Sequence, residues 1–452
     1  MNQESTGMDR KSRASPLVYG MPRLGTSIVL GIEGFALFTL YTTGYGLDEF
    51  RAGLALSMGY LSIAVAQFLF GWLSDVKYTR LGRRKPFLLA ISPLLCVSFI
   101  FLHLPGLFLP DLNDKNALFS WMLAWDVVFR ACYGMTSSYQ AWMAELFPVK
   151  ERPRVSQIQN VFNYIGNGVM GLLTIAVFTG VFDTIKADVN AMPSVFLISI
   201  LVFGILVVAL FYAACIMLPT EKEYTITSKP IRSLVSALKN RKFLIVVLMQ
   251  GVSGLGWSML STVMLKFADE VLGLSTIEYA IVAVCLILGM FFFLRMWRKR
   301  IETKGKKSVL LNIFMVAFAV LPVTLVGLVP MPTKLPLAII FALGAAAALG
   351  GWFLYPYIMY ADLAEDDQKS TTSELRAGVY QGFPYIVLNL FQSLGSFILG
   401  IITSLPDVTV DTRTFSIGLV LFGPISSCFL LVAYFFTKKK VVLDFKWEKA
   451  KE

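Results

Sequence analysis

Gly71-Trp72-Leu73-Ser74-Asp75-Val76-Lys77-Tyr78-Thr79-Arg80-Leu81-Gly82-Arg83-Arg84-Lys85-Pro86 is the stretch whose reading decides the fold. It follows an apolar run of about twenty residues and opens directly onto another, so it reads as the short cytoplasmic link between two membrane-crossing helices. Gly71 and Gly82 permit close backbone approach and a tight turn. Asp75 is placed to accept hydrogen bonds from a neighbouring helix N-terminus, and Arg83-Arg84-Lys85 holds the link on the cytoplasmic side. The basic cluster reads two ways, as a latch on a gate or as a plain positive-inside anchor.

Outward from this link the chain is apolar almost throughout. Of its 452 residues 56% are hydrophobic and 15% charged, with a mean hydropathy of +0.68, which excludes an ordinary soluble domain and indicates a polytopic membrane protein. Apolar spans long enough to cross a bilayer fall near 26–46, 52–73, 86–107, 117–144, 157–181, 194–218, 243–265, 276–297, 308–330, 335–361, 377–404 and 414–437. The fold class is therefore all-α, with twelve transmembrane helices and both termini on one side. The cations test this count: 33 of the 40 Lys and Arg fall in segments read as cytoplasmic. Six fall one to each outer loop (Arg51, Lys115, Lys186, Lys266, Lys334 and Arg413), and Arg130 lies inside a span. That bias fixes the orientation, and it accounts for the net charge of +11 without a nucleic-acid partner.

The polar, basic residues 1–25 contain no apolar h-region, so a cytoplasmic amino tail is expected, in a protein of the cell membrane. The five cysteines sit inside apolar spans as small core residues without metal-ligand spacing, and His103, the only histidine, near the outer end of a span, reads as an ordinary interfacial residue in preference to a proton relay. Residues 219–242, mixing apolar and basic positions at helical spacing, are expected to form a cytoplasmic linker with an interfacial helix. They would separate a six-helix bundle at 26–218 from a second at 243–437, followed by a basic tail at 438–452. Two internal matches support duplication. Leu81-Gly82-Arg83-Arg84-Lys85 is echoed by Lys304-Gly305-Lys306-Lys307-Ser308, and Ala144-Glu145-Leu146 by Ala361-Asp362-Leu363.

Charges within spans cost about 2.5 to 3.5 kcal/mol each on insertion scales, which makes Glu33, Asp126 and Arg130 functional candidates. Asp126 and Arg130 are four residues apart and able to pair, either for coupling or as a strut that fixes helix packing. Glu33 has only Val29, Leu30, Ala36 and Leu37 at helical spacing and so reads as an unpaired carboxyl. Such a group would exchange a proton, receive a sugar hydroxyl, or be satisfied by an amide of a neighbouring helix.

The pattern G-x-x-x-D-x-x-x-x-R-x-G-R-R-K-P resembles the helix 2 to helix 3 loop of the major facilitator superfamily, in the version seen in its glycoside-pentoside-hexuronide cation symporters and related sucrose carriers. Arg130-Ala131-Cys132-Tyr133-Gly134 resembles the R-x-x-x-G element of helix 4 in proton-coupled facilitators. Gly31-Ile32-Glu33-Gly34-Phe35 places Glu33 near the sugar-binding acid of melibiose-type helix 1. The resemblance implies a secondary transporter whose gating loops include Gly71, Asp75, Arg80, Gly82, Arg83, Arg84, Glu145, Arg152, Asp362 and Arg376. The chain departs from that pattern where the family's helix 2 sodium acids fall on Ile63 and Gln67 and a second sugar acid falls on Ser138. A proton is thus expected as coupling ion, sodium less so, with no cofactor and no metal.

Asn160, Asn163 and Asn167 at i, i+3 and i+7 form one polar stripe, suited to sugar hydroxyls and equally to interhelical packing. Gln250 and Trp257 on span 7, Trp352 and Tyr355 on span 10, and Tyr385, Asn389 and Gln392 on span 11 add aromatic faces and amides. With no phosphate-binding loop, ATP-driven transport and enzymatic activity are disfavoured. The expected function is alternating-access transport of a small sugar or glycoside by a monomer in the bilayer. The alternatives are a carrier of a lipid-like solute, which the 36 phenylalanines permit, and a non-transporting sensor.

Overall fold

The computed structural model describes residues 14–76, 78–147, 152–173, 177–220, 238–331, 333–371 and 377–445. Ten helical segments among them are long and apolar enough to cross a membrane. The two expected spans outside that ten are spans 4 and 5. Span 4 is divided into α5 (Lys115–Tyr133) and α6 (Thr136–Leu146), and span 5 is α7 (Arg152–Leu173), carrying the asparagine stripe, followed by α8 (Thr179–Ala187). Span 1 starts ten residues ahead of its apolar run, as α1 (Pro16–Gly20) and α2 (Pro22–Thr39), where Tyr19, Gly20, Pro22 and Gly25 are buried although Leu17 stays exposed. The remaining spans of the first half are α3 (Glu49–Val76), α4 (Lys85–His103) and α9 (Ser194–Met217). The second half comprises α10 (Arg241–Lys266), α11 (Thr276–Lys304), α12 (Lys306–Val320), α13 (Leu335–Trp352), α14 (Tyr355–Thr371), α15 (Ala377–Thr403) and α16 (Gly418–Lys440). Most of the expected linker, residues 221–237, and the end of the basic tail, 446–452, lie outside the described residues.

Caps set several helix starts. Asp114 accepts from the backbone N–H groups of Asn116 and Ala117, Asn240 from those of Lys242 and Phe243, and Ser275 and Glu278 form a capping box. Breaks fall at matching places in the two halves: span 4 is interrupted between Tyr133 and Thr136, span 10 between Trp352 and Tyr355. Glycine permits the first. A Cβ on Gly134 would lie 2.7 Å from Cβ of Ala66 and 2.9 Å from the amide nitrogen of Gln67, so span 4 touches span 2 there backbone to backbone.

Within the halves α2 packs on α7, α3 on α5, α4 on α9, α10 on α15 and α16, and α11 on α13. Between them α3 lies along α15 and α2 against α10. One departure from an all-helical chain is an antiparallel hairpin between spans 11 and 12, β1 (Asp407–Val410) with β2 (Arg413–Ser416), turning at Asp411 with φ +56°. The five cysteines are free, and His103 is buried with Nδ1 2.9 Å from the Phe99 carbonyl oxygen.

Candidate functional site

Three charged side chains meet inside the first half. Arg130 Nε donates to Glu33 Oε1 at 3.0 Å, its Nη2 donates to the same oxygen, and Nε lies 3.6 Å from Oδ1 of Asp126. Their exposures are 2%, 1% and 0%, so no bulk water screens the group. Glu33 is therefore not the unpaired carboxyl that its own helix suggests. Its cation arrives from span 4, at a distance along the chain that local spacing does not reveal. The Asp126–Arg130 contact expected from i, i+4 spacing is present, as the longer of the guanidinium's two ion pairs.

Span 2 completes the site through two residues that the sequence reading passed over. The Tyr60 ring lies under the guanidinium, its centroid 3.6 Å from Arg130 Cζ. At Gly59 a Cβ would stand 1.9 Å from Asp126 Oδ2 and 2.8 Å from Arg130 Cδ, so only glycine lets α3 sit on this carboxyl. An apolar span contains many such residues, and the available signal was only that a glycine and a tyrosine adjoin at the depth of a charged neighbour.

Two carboxyl groups share one guanidinium. Glu33 Oε2 and both Asp126 oxygens lack a hydrogen-bond partner, and the two carboxyls are near neighbours. A second, uncompensated carboxylate at this depth costs several kcal/mol. A single proton held between the carboxyls would neutralise the group and give the orphaned oxygens a shared hydrogen bond.

The amides and aromatics divide. Asn163 accepts from Ser27 Oγ at 2.6 Å and joins spans 1 and 5, while Asn160 is half-buried and Asn167 exposed. Asn389 donates to Gln67 Oε1 at 3.0 Å, which puts an amide bridge between the halves. Trp257 and Trp352 come together, with ring centroids 6.1 Å apart, and Trp257 Nε1 and Gln250 Oε1 are both buried without a partner. Gln392 lies beside Gly254, one turn from each of Gln250 and Trp257, and Tyr385 is half-buried. Tyr355 stands apart from this group: its hydroxyl donates to the Lys306 carbonyl at 2.7 Å, anchoring the start of α12.

At the inner ends Arg84 pairs with Glu145 at 2.6 Å and donates to Ser74 Oγ at 2.5 Å, and Lys85 Nζ donates to the Leu218 carbonyl at 2.8 Å. The turn itself closes through reciprocal Thr79 and Gly82 backbone bonds, with Gly82 at φ +91°, Arg80 exposed at the tip and Arg83 buried over the Tyr78 ring. Lys306 pairs with Asp362 at 2.7 Å. Each half thus holds an ion pair from the link after its second span to the acid that follows its fourth, but one residue out of register, since aligning Gly82 with Gly305 sets Lys306 opposite Arg83 and not Arg84. Gly71 lies on α3 near Ser137. The side chains of Asp75 and Arg152, and all of Arg376, lie outside the described residues.

A helical bundle in two halves, with a charged triad sealed in the first and an amide bridge between them, has the architecture of a membrane carrier. The family described as MFS/sugar transport protein matches residues 18–438, and this chain belongs to it. An uncharacterized symporter of Synechocystis is 26% identical over 213 residues, 45% of this chain and 38% of that protein, so the match spans well under half of the relative. Among solved structures a D-xylose-proton symporter aligns at a TM-score of 0.64 with 15% identity, over 95% of this chain and 97% of that one. The nucleoside transporter NupG aligns at 0.61–0.62 with 12–14% identity in two structures, over 94% of this chain and 98% of that one. A bacterial homologue of the human lysosomal transporter Spinster aligns at 0.62 with 14% identity, over 93% and 94%. These likenesses establish the fold.

Proposed function

We propose that the protein is a secondary active transporter of a small sugar or glycoside, coupled to protons through Glu33, Asp126 and Arg130. One observation carries the coupling: two carboxyl groups share a single guanidinium in a fully buried site, and their unpartnered oxygens belong to the two acids. The mobile proton is assigned to Asp126, because Glu33 is held by two guanidinium N–H groups and Asp126 by one 3.6 Å ion pair. Support for a sugar comes from the description of the family, from the Trp257–Trp352 pair as a stacking surface, and from the orphaned Trp257 and Gln250 atoms, which hydroxyl groups would satisfy. The inner-end ion pairs act as latches within each half, and the carrier works as a monomer in the cell membrane with both termini inside.

The test is purified protein in liposomes, with labelled sugars and an inward proton gradient. Uphill accumulation that collapses with a protonophore is expected. Failure across a broad panel of mono- and disaccharides, with accumulation of an amphipathic solute instead, would reassign the cargo; uphill transport driven by sodium alone would remove the proton.

A further inference from the structure

Lys266 is the last residue of α10, where its position beyond an apolar run suggests a solvated outer loop, yet it is only 2% exposed. Its Nζ lies 2.7 Å from Oε1 of Glu49, in the first turn of α3 and hence in the other half, and 3.8 Å from Oε1 of Glu270 in its own half. Thr43 of span 1 donates to the same Glu270 oxygen at 2.8 Å, and the Phe38 ring lies 5.8 Å from Nζ. One buried ammonium therefore ties three segments together across the seam.

Just inward of this clamp the two halves approach closely. A Cβ on Gly53 would stand 2.6 Å from Gly400 Cα, Phe50 meets Phe397 at 5.7 Å between centroids, and the Ser57 and Ser393 hydroxyls are 2.9 Å apart. All these contacts join α3 to α15. On the outer side of the clamp lies a cavity of about 660 Å³ lined by Thr42, Leu47, Glu49, Arg51 and Lys115.

We infer that the Glu49–Lys266 pair is the outer gate, the contact that closes the seam and must break for the halves to part on this side. The pair is built to break reversibly. The Glu49 side chain is 27% exposed and adjoins the outer cavity, so it returns to water at little cost, while Lys266 keeps Glu270, in the π-helical turn Phe267–Leu272 that continues α10, as a counter-charge within its own half. A strut meant never to open would bury both partners. The inference needs only that the protein is a two-halved carrier, and it stands whatever the solute or coupling ion.

The gate is tested by water access to Ser57, which lies inward of it at 4% exposure. Ser57→Cys is placed in a chain carrying Cys285→Ser and Cys428→Ser, reconstituted, and labelled from outside with a membrane-impermeant thiol reagent. Adding Glu49→Gln is expected to raise the labelling rate about tenfold, the population shift from loss of one partly buried ion pair. Lys266→Met shifts it in the same direction, and Glu49→Asp restores most of the protection. Arg51→Gln, on the same cavity but bonded to Asn116, leaves the rate unchanged. Should Lys266→Met fail to fold, Glu49→Gln against Glu49→Asp decides alone. An unchanged rate in Glu49→Gln, or an equal rise in Arg51→Gln, overturns the gate, and neither readout needs a substrate or a proton gradient.

Discussion

Asp126→Asn isolates the proton. The substitution keeps the shape of the side chain, removes one of two buried negative charges, and supplies an N–H group that reaches toward the orphaned Glu33 Oε2. It surrenders only a 3.6 Å ion pair, and Arg130 keeps both of its contacts with Glu33. Folding stability should therefore stay within about 1 kcal/mol of the parent. Arg130→Met is the opposite case. It strips the sole cation from two acids that are at most 1% exposed and should cost about 3–5 kcal/mol, the penalty for breaking a buried pair by removing one partner. Thermal unfolding in detergent measures both. In liposomes Asp126→Asn should exchange solute across the membrane at a rate that no longer depends on pH and should not accumulate it against a gradient, because its amide neither gains nor loses the proton. Parental accumulation by Asp126→Asn refutes the coupling role, and equal stability of the two variants refutes the charge count itself.

Three further outcomes follow from the contacts. Gly59→Ala puts a methyl group 1.9 Å from Asp126 Oδ2, so it should destabilise the protein by about 1–3 kcal/mol, and Asp126→Ala in the same chain should recover part of that loss in a double-mutant cycle read by thermal unfolding. The two inner latches should differ in strength. The Arg84–Glu145 side chains are 4% and 7% exposed and should show a coupling energy near 2 kcal/mol, whereas Lys306–Asp362, at 19% and 18%, should give under about 1 kcal/mol in the same cycle. Trp257→Phe retains a stacking face and removes the unpartnered Nε1 donor, so sugar affinity measured by equilibrium binding should fall by about 0.5–1.5 kcal/mol, and an unchanged affinity would move the sugar away from this tryptophan.

What the sequence disclosed and what it hid follow from one physical distinction. The bilayer imposes length and polarity on every span separately, so the count of helices and the turn between spans 2 and 3 are written in local runs of residues, although the helices reach further in than read, taking Gly71–Val76 into α3 and Lys85–Pro86 into α4. Relative rotation of the helices is imposed by packing between spans, and no periodicity records it. Glu33 therefore looked unpaired until span 4 brought Arg130 to it, and Gly59 and Tyr60 looked like filling until Asp126 and Arg130 lay against them. Lys266 was misjudged for a related reason: a charge at the end of an apolar run is taken for a loop residue, and its nearest acid, Glu49, comes from the opposite half, with Glu270 of its own half farther off. The hairpin at 407–416 has a legible pattern, since Val408-Thr409-Val410 and Thr414-Phe415 flank an Asp-Thr turn, but the first strand was left in the outer loop and the second was absorbed into the start of span 12. α3 then emerges as the element to which the hidden contacts converge. It presents Glu49 to Lys266, Gly53 and Ser57 to α15, and Gly59 and Tyr60 to the charged triad, all within its first four turns. If the triad exchanges a proton and the Glu49–Lys266 pair is the gate, as proposed, both act on this one helix, and coupling would have a direct physical route from the first to the second.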